Sequence, residues 1–513
     1  MNALWLLLLL PSLGALGTSF SRGELATAIA RATAAVTALF ATIIALSGTV
    51  GAVAELPWLP ERGLRFALLL DPLAIVGILT VAWVTAIAAA HGRGRTLCLL
   101  LAGEVAGLVA WLADDLVTMV AAISLLALIA AAMVGRSRQS ILAVFLPLSA
   151  AAASLTVTAL LLGLSHHEAS VGQWSLGLRE TLGVLSPSAQ ENAIAASSTL
   201  AALVLAGVWP LHGWWRRAAE DAPPAFGAWL PAVLRPLGLG LLIRVTMPAA
   251  AATIAALAPA LALLGGILVF VGLLGAASDR GPGATRRRHL HLGHLPTGAA
   301  LLGVATLTPE GISGALLLGL GGGLAFALVH LVGRPERPLH RLLAGIGLLG
   351  LLGAPGLLSF AGVLPIGLAS LSQGAWHLPA APYLGLLLLS APVVALAPLL
   401  AALRPAPRPP MTAAMSASSP PRPRNHAVLL LTAALLLLLG LAPALIHDRI
   451  GAAPRALSHR VYVRWCSVTL SPHLRARRAP ESAPEGCEEP MTTLRALAYG
   501  HDAPKAPRNE EAP

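Results

Sequence analysis

The sequence predicts an all-α polytopic membrane protein with about fourteen transmembrane helices, and three observations predict it. Charged residues make up 11% of the 513-residue chain against 56% hydrophobic ones, and mean hydropathy is +0.77; soluble domains carry roughly 25% charged residues. Apolar runs of about 17 to 25 residues recur along nearly the whole length, each able to cross a hydrocarbon core of about 30 Å as a helix. Basic residues fall in every second loop between those runs, the alternation that positive-inside topology demands.

The opening "MNALWLLLLLPSLGALG" has the look of a signal peptide but lacks a basic segment ahead of its apolar stretch, and further spans follow at once. It reads as the first helix. Hydropathy places spans at 2–18, 25–54, 66–90, 96–113, 115–134, 140–164, 193–212, 225–247, 250–276, 294–307, 312–333, 341–371, 381–403 and 426–446. Arg93 and Arg95, Arg136 and Arg138, Arg216 and Arg217, Arg286 to Arg288, Arg334 and Arg337, then Arg404, Arg408, Arg422 and Arg424 occupy alternate loops, expected to face the cytoplasm. The intervening loops carry Asp114 and Asp115, "SHHEAS" around His166, "TPEG" at Thr308 and "SQGAWHLP" around Trp376. Both termini are then expected outside the cytoplasm, in a bacterial-type inner membrane.

The Pro/Ser-rich linker "RPAPRPPMTAAMSASSPPRPRNH" between the last two spans is expected to be extended. Residues 1–446 form the expected membrane domain and 447–513 a tail rich in Pro, Arg and Glu, whose composition suits a solvated, flexible segment. Its one strand-like run is "RVYVRWCSVTL", and a Cys466–Cys487 bridge is compatible with an oxidising outer compartment.

Other function classes are excluded by pattern. The net charge of +11 sits in short loops and in the tail, so it is a topology signal with no basic–aromatic platform for nucleic acid. Cys98, Cys466 and Cys487 make no metal-ligand spacing, so neither a metal nor a cofactor is expected on this chain. No Ser/His/Asp set or HExxH supplies catalytic residues. The run "GLGGGLAF" lies at membrane depth with no strand before it, which suits close helix contact and not nucleotide binding.

The densest polar segment in mid-chain is "VWPLHGWWRRAAEDAPPAFGAWLPAVLRPLGLGLLIR", from Val208 to Arg244. It resembles the signature of the antiporter-like proton-channel subunits of respiratory complex I, most of all the M-type chain: W-P-F-H-T-W-L-P-D-A-H-x-E-A-P-T-A-G-S, then a helix ending G-x-Y-G-L-L-R. Trp209, Pro210, His212, Trp214, Ala218, Ala222, Pro223, Ala225, Gly238, Leu242 and Arg244 fall in register. "AELPWLPERGLRFALLLDPLAI" with Asp71, the segment from Gly293 to Pro338, and "GAPGLLSFAGVL" with Pro355, Gly356, Phe360 and Gly362 resemble further family segments. The resemblance covers roughly residues 1 to 446 and implies an antiporter-like fold with inverted repeats and broken helices.

The family relays protons through intramembrane ionisable side chains, which only titrating groups can do. Its fifth-helix Glu falls on Ser124, its seventh-helix Lys on Leu205, its eighth-helix Lys on Pro236 and its twelfth-helix Glu on Val363. None of these titrates. The eleventh-helix His falls on Gly322.

Four residual polar positions remain as candidates. Glu104 lies inside "LLLAGEVAGLVAWL", either as a proton site or as a structural polar contact. Arg235, beside Pro236, is either a displaced charge on the polar axis or the partner of a carbonyl freed by Pro231 and Pro236. His294 matches the family's tenth-helix His, as a proton group or a hydrogen-bonded core residue, and His212 belongs to the hinge. His330 reads as interfacial, and Ser124 and Thr118 as places for water.

The resemblance implies a membrane-arm subunit of an NADH-quinone oxidoreductase-like complex, itself non-catalytic, packed against neighbouring antiporter-like subunits and lipid. The substituted positions imply that conduction is impaired or absent. The alternative is a paralogue serving as a structural membrane platform in another transporter or redox complex, for example one for inorganic-carbon uptake.

Overall fold

The computed structural model describes residues 2–59, 64–135, 137–170, 172–182, 188–279, 284–333, 337–372, 381–394 and 426–475. Helices α1 (Ala3–Phe20) and α2 (Gly23–Leu46) lead into a hairpin of β1 (Val53–Leu59) and β2 (Leu64–Leu69). Then come α3 (Pro72–His91), α4 (Arg95–Leu112), α5 (Leu116–Val134), α6 (Arg138–Ala169), the short α7 (Leu178–Thr181), α8 (Ser188–Ala206), α9 (Gly213–Asp221) and α10 (Pro224–Leu241). A π-helical turn, Leu242–Thr246, joins α10 to α11 (Met247–Ala249). After it follow α12 (Ala251–Ser278), α13 (Ala284–Leu292), α14 (His294–Ala305), α15 (Pro309–Val332), α16 (Pro338–Leu352), α17 (Leu358–Leu371) and α18 (Ala381–Val394). The last are α19 (His426–Leu441), α20 (Ala444–Ile450) and α21 (Ala452–Arg475).

Among the described residues eight helices are long and apolar enough to span a membrane, or nine if the bent pair α19–α20 counts as one. Shorter apolar helices such as α4, α16 and α17 occupy other expected spans, so the fold is compatible with fourteen crossings. The chain is a multi-pass membrane protein. The expected span 381–403 is described only to residue 394, and the linker from 404 to 425, Trp376, Arg136 and Arg334 lie outside the described residues.

Helix starts follow from local chemistry. Asp71 accepts the Ala74 amide at 2.7 Å ahead of Pro72, Asp115 the Thr118 amide at 2.6 Å, Ser137 the Ser140 amide at 3.1 Å, and Thr308 the Gly311 amide at 3.1 Å ahead of Pro309. Each caps an orphan N–H that lipid could not satisfy. Helices α3, the stretch Pro224–Ala249 and α15 are 89%, 100% and 94% buried over their apolar windows, against 33% for α1 and α6. The three pack on one another as the core of the bundle. The triple glycine of α15 serves three faces: a Cβ on Gly321 would lie 2.7 Å from Ser359 Oγ of α17, one on Gly322 2.6 Å from Pro296 of α14, and one on Gly323 2.9 Å from the Ala232 carbonyl of α10. This is the close helix contact expected of "GLGGGLAF".

Three expectations are corrected. Span 25–54 is shorter than expected: its helix ends at Leu46, and Val53–Leu59 pairs antiparallel with Leu64–Leu69 as a small hairpin within the helical fold. Span 341–371 is two helices: Gly353 takes a left-handed φ of +69°, its amide bonding Gly350 and that of Ala354 bonding Leu349, which closes α16 before Pro355. The strand-like tail run is helical within α21, because Leu457, Val461 and Trp465 recur every fourth residue and pack against the core. Its polar groups are tied as well: Ser458 donates to the Leu307 carbonyl at 2.6 Å and Arg464 to Glu191 at 3.1 Å. The start of the expected flexible tail is therefore docked, while Cys487 and residues 476–513 lie outside the described residues.

Hydrogen bonds sort the loops into two ends. At one end Asn2 donates to Val53, Asp115 accepts from Ala67, Arg179 pairs with Asp114 and with Glu55 (3.3 Å), and Arg65 pairs with Glu180 (2.6 Å). At the other end the Ser140 hydroxyl donates to Asp221 at 2.7 Å, Arg286 to the Ala219 carbonyl, and Arg287 to Asp279 at 2.9 Å. Each end is thus tied by acid–base and hydroxyl–acid pairs between its own loops.

Two predictions follow from this framework. Asp71 also accepts the Arg244 guanidinium at 2.7 Å, joining the start of α3 to the π-turn; Arg244 is buried and Asp71 partly so, and leaving a buried charge without its partner costs more than replacing both. Asp71→Asn is expected to lower the melting temperature in detergent more than Asp71→Asn with Arg244→Met. The second concerns acid. Burial raises the Glu180 carboxyl, but the Ser175 hydroxyl and Arg65 outweigh it and hold it below the ordinary carboxylate range. A depressed carboxylate contributes stability above its unfolded value and loses it as pH falls through the folded one. Melting curves should therefore drop below about pH 4.5, and drop less in Glu180→Gln.

Candidate functional site

The site forms where α8 stops. Gly207 adopts a left-handed φ of +62°, and a Cβ there would meet Trp215 at 2.8 Å. The chain turns through a cis Trp209–Pro210 peptide and restarts as α9. The Trp214 indole donates to the Val204 carbonyl at 2.7 Å, which also accepts the Gly207 amide at 3.1 Å, so the end of α8 is capped from both backbone and side chain. Trp214 and Trp215 are both buried, which turns α9 inward against the core.

Arg235 meets that hinge from α10. Pro231 and Pro236 lack N–H groups on either side of it. Its guanidinium is 6% exposed and donates to the Thr297 hydroxyl of α14, from Nε at 3.0 Å and also from Nη2. It lies over two aromatic faces, 5.1 Å from the Trp215 ring centroid and 5.8 Å from that of Phe326 on α15. Among the described residues no carboxylate pairs with it. The hydroxyl, and not a carbonyl freed by proline, is its partner.

Two imidazoles adjoin. His294 stands edge-on to Trp215 at 4.9 Å and to His212 at 5.3 Å, and the Nδ1 atoms of both histidines are buried without a partner among the described residues. His330 stacks on the outer side of Phe326 at 5.7 Å. A cavity of about 20 Å³ lies beside Arg235, bounded by Pro236, Pro296, Thr297, Gly322 and Phe326. Its size admits about one water-sized particle.

The structure therefore brings Arg235, His212 and His294 together, with Pro236 and Gly322 on the cavity wall. Glu104 stays apart on α4, fully buried, with both carboxyl oxygens unpartnered among the described residues. Ser124 is half-buried on α5, Leu205 is buried on α8, and Val363 on α17 packs against the break at Gly353. Sequence reasoning missed Trp215, Thr297 and Phe326 as the lining of Arg235. The only hint was Thr297 three residues after His294, one helical turn on. A set of this kind holds a fixed positive charge and can orient water, but among the described residues it holds no carboxylate to exchange a proton with.

Hydrogen bonds to charged groups contribute roughly 1.5–3 kcal/mol, whereas deleting a buried charge for an apolar residue of similar volume is often neutral or stabilising. Thr297→Val is expected to lower the melting temperature in detergent, and Arg235→Met to leave it unchanged or raise it; the reverse order would mean the guanidinium is a structural tie.

No protein-family model matches the chain. It is 30% identical over 187 residues to the NAD(P)H-quinone oxidoreductase chain 4 1 of Synechococcus sp. strain JA-3-3Ab, a match over 33% of this chain that spans about a third of the curated relative's length, 35%. Among solved structures, a chain of respiratory complex I from Thermus thermophilus with bound NADH superimposes with a TM-score of 0.76 at 22% identity, over 89% of this chain and 99% of that one. A chain of the archaeal membrane-bound sulfane sulfur reductase gives 0.72 at 20% identity, over 88% of this chain and 77% of that one. A chain of the Mrp complex from Dietzia sp. DQ12-45-1b gives 0.71 at 20%, over 97% and 58%. These likenesses show the fold, which is antiporter-like.

Proposed function

We propose that the chain is a membrane-arm subunit resembling the M-type chain of NADH:quinone oxidoreductase, and that it is impaired in conducting protons itself. The near-complete overlap with a chain of respiratory complex I supports the first half, together with the shorter sequence match to a quinone oxidoreductase chain. In this reading its partners are neighbouring antiporter-like subunits, with lipid on the remaining faces, and redox cofactors reside on other chains. The chain sits in a bacterial-type inner membrane with the basic loops inward and both termini outside.

The observation that carries the second half is the buried axis around Arg235. Arginine does not release its proton at physiological pH, and its neighbours there are a hydroxyl, aromatic rings and imidazoles, with no acid among the described residues. The family's relay positions fall on Ser124, Leu205, Pro236 and Val363, which cannot titrate. Glu104 is too poorly connected to replace them, since neither oxygen has a hydrogen-bond partner among the described residues. A second reading, a structural platform in another membrane complex, is favoured by the similar overlap with chains of the Mrp and sulfane sulfur reductase complexes.

Purifying the tagged chain in mild detergent should recover antiporter-like and quinone-oxidoreductase chains; recovery of an unrelated soluble partner alone would support the platform reading instead. In proteoliposomes the purified chain is expected to pass no more protons than empty vesicles under an imposed potential. Flux that vanishes in Glu104→Gln would overturn the impaired-channel reading.

A further inference from the structure

We propose that the cavity beside Arg235 binds a small monovalent inorganic anion of chloride size. The cavity lies at the buried core of the bundle, between α10, α14 and α15. A permanently charged group in such a place demands a counter-charge or a strong acceptor, because an unpaired ion loses several kcal/mol of hydration. Among the described residues Arg235 has one hydrogen-bond acceptor, the Thr297 hydroxyl, for five N–H groups.

The surrounding polar inventory is short of acceptors. Thr297, which lines the cavity together with Arg235, keeps its own proton to donate after accepting from Arg235. The opposite sign is missing altogether: no carboxylate among the described residues pairs with Arg235, and His294 and His212, the titratable groups beside it, can only add positive charge. Two donors on the wall of one cavity, a guanidinium and a hydroxyl, with no anionic side chain among its lining residues, recognise an anion. A single guanidinium balances one charge, and a volume of about 20 Å³ fits a halide better than a tetrahedral dianion. The apolar walls of proline, glycine and phenylalanine favour an ion that sheds its water easily.

The test uses the full-length chain, purified in detergent in gluconate buffer, with radiolabelled chloride as the probe in a scintillation proximity assay. Saturable binding is expected, displaced by bromide and not by sulfate, and weakened at least tenfold in Arg235→Gln. Gly319→Ala supplies an independent arm: Gly319 lines the cavity, and its added methyl would lie 3.4 Å from Pro236, an ordinary contact, so the variant should fold and bind several-fold more weakly. Absence of saturable binding by the wild-type chain would mean that water alone fills the space and would overturn the proposal. Undiminished binding in both variants would overturn it equally, by placing the ion elsewhere.

Discussion

One hydrogen bond, from the Trp214 indole to the carbonyl of Val204, sets the geometry on which the centre of this bundle depends. The last carbonyls of a helix lack intrahelical donors, and at the end of α8 the Trp214 indole joins the Gly207 amide in capping that of Val204. Once Trp214 fills that role, the next residue is placed as well. Trp215 turns into the core, presents its face to Arg235 and its edge to His294, and leaves Gly207 no room for a side chain. The hinge is therefore a cap and a wall at the same time.

Small residues make the rest of that arrangement possible. Gly321, Gly322 and Gly323 bring α17, α14 and α10 against successive faces of α15, closer than any Cβ would allow. Gly238 does the same between α10 and α8, where a Cβ would fall 2.4 Å from the Ala206 amide. In lipid, helices gain little from burying apolar surface against each other and depend on close packing instead. The space around Arg235 is what remains when prolines and glycines pack backbone to backbone around a bulky cation.

Much of the fold was legible in the sequence, because span length and alternating loop charge follow directly from the thickness and polarity of a bilayer. The failures have local causes. The break at Gly353 lay inside a continuous apolar run, and hydropathy is blind to a left-handed glycine. The run around Val461 supported two periods, and only packing against the bundle selected the helical one. At the site, Arg235, His212 and His294 were visible as unusual residues, but their company was not. Trp215 and Arg235 are separated by a helix break and more than two turns of α10, so no spacing rule connects them. Asp71 and Arg244 were each noticed as motif positions, yet that they form one ion pair is a property of tertiary structure alone.

The charge balance of the axis decides what this geometry can do. A proton relay needs groups that change charge near neutral pH and lie within reach of one another through hydrogen bonds or water. Here the fixed charge does not titrate, the imidazoles touch ring to ring without a hydrogen bond between them, and the buried carboxyl of Glu104 lies on another helix. Such an axis keeps its polarity without a carboxylate, among the described residues, paired to its fixed charge. A buried arginine imposes a constraint, because its charge must be answered at every moment the bundle is folded. Thr297 and two aromatic faces answer part of it, and the cavity beside them adjoins the same side chain.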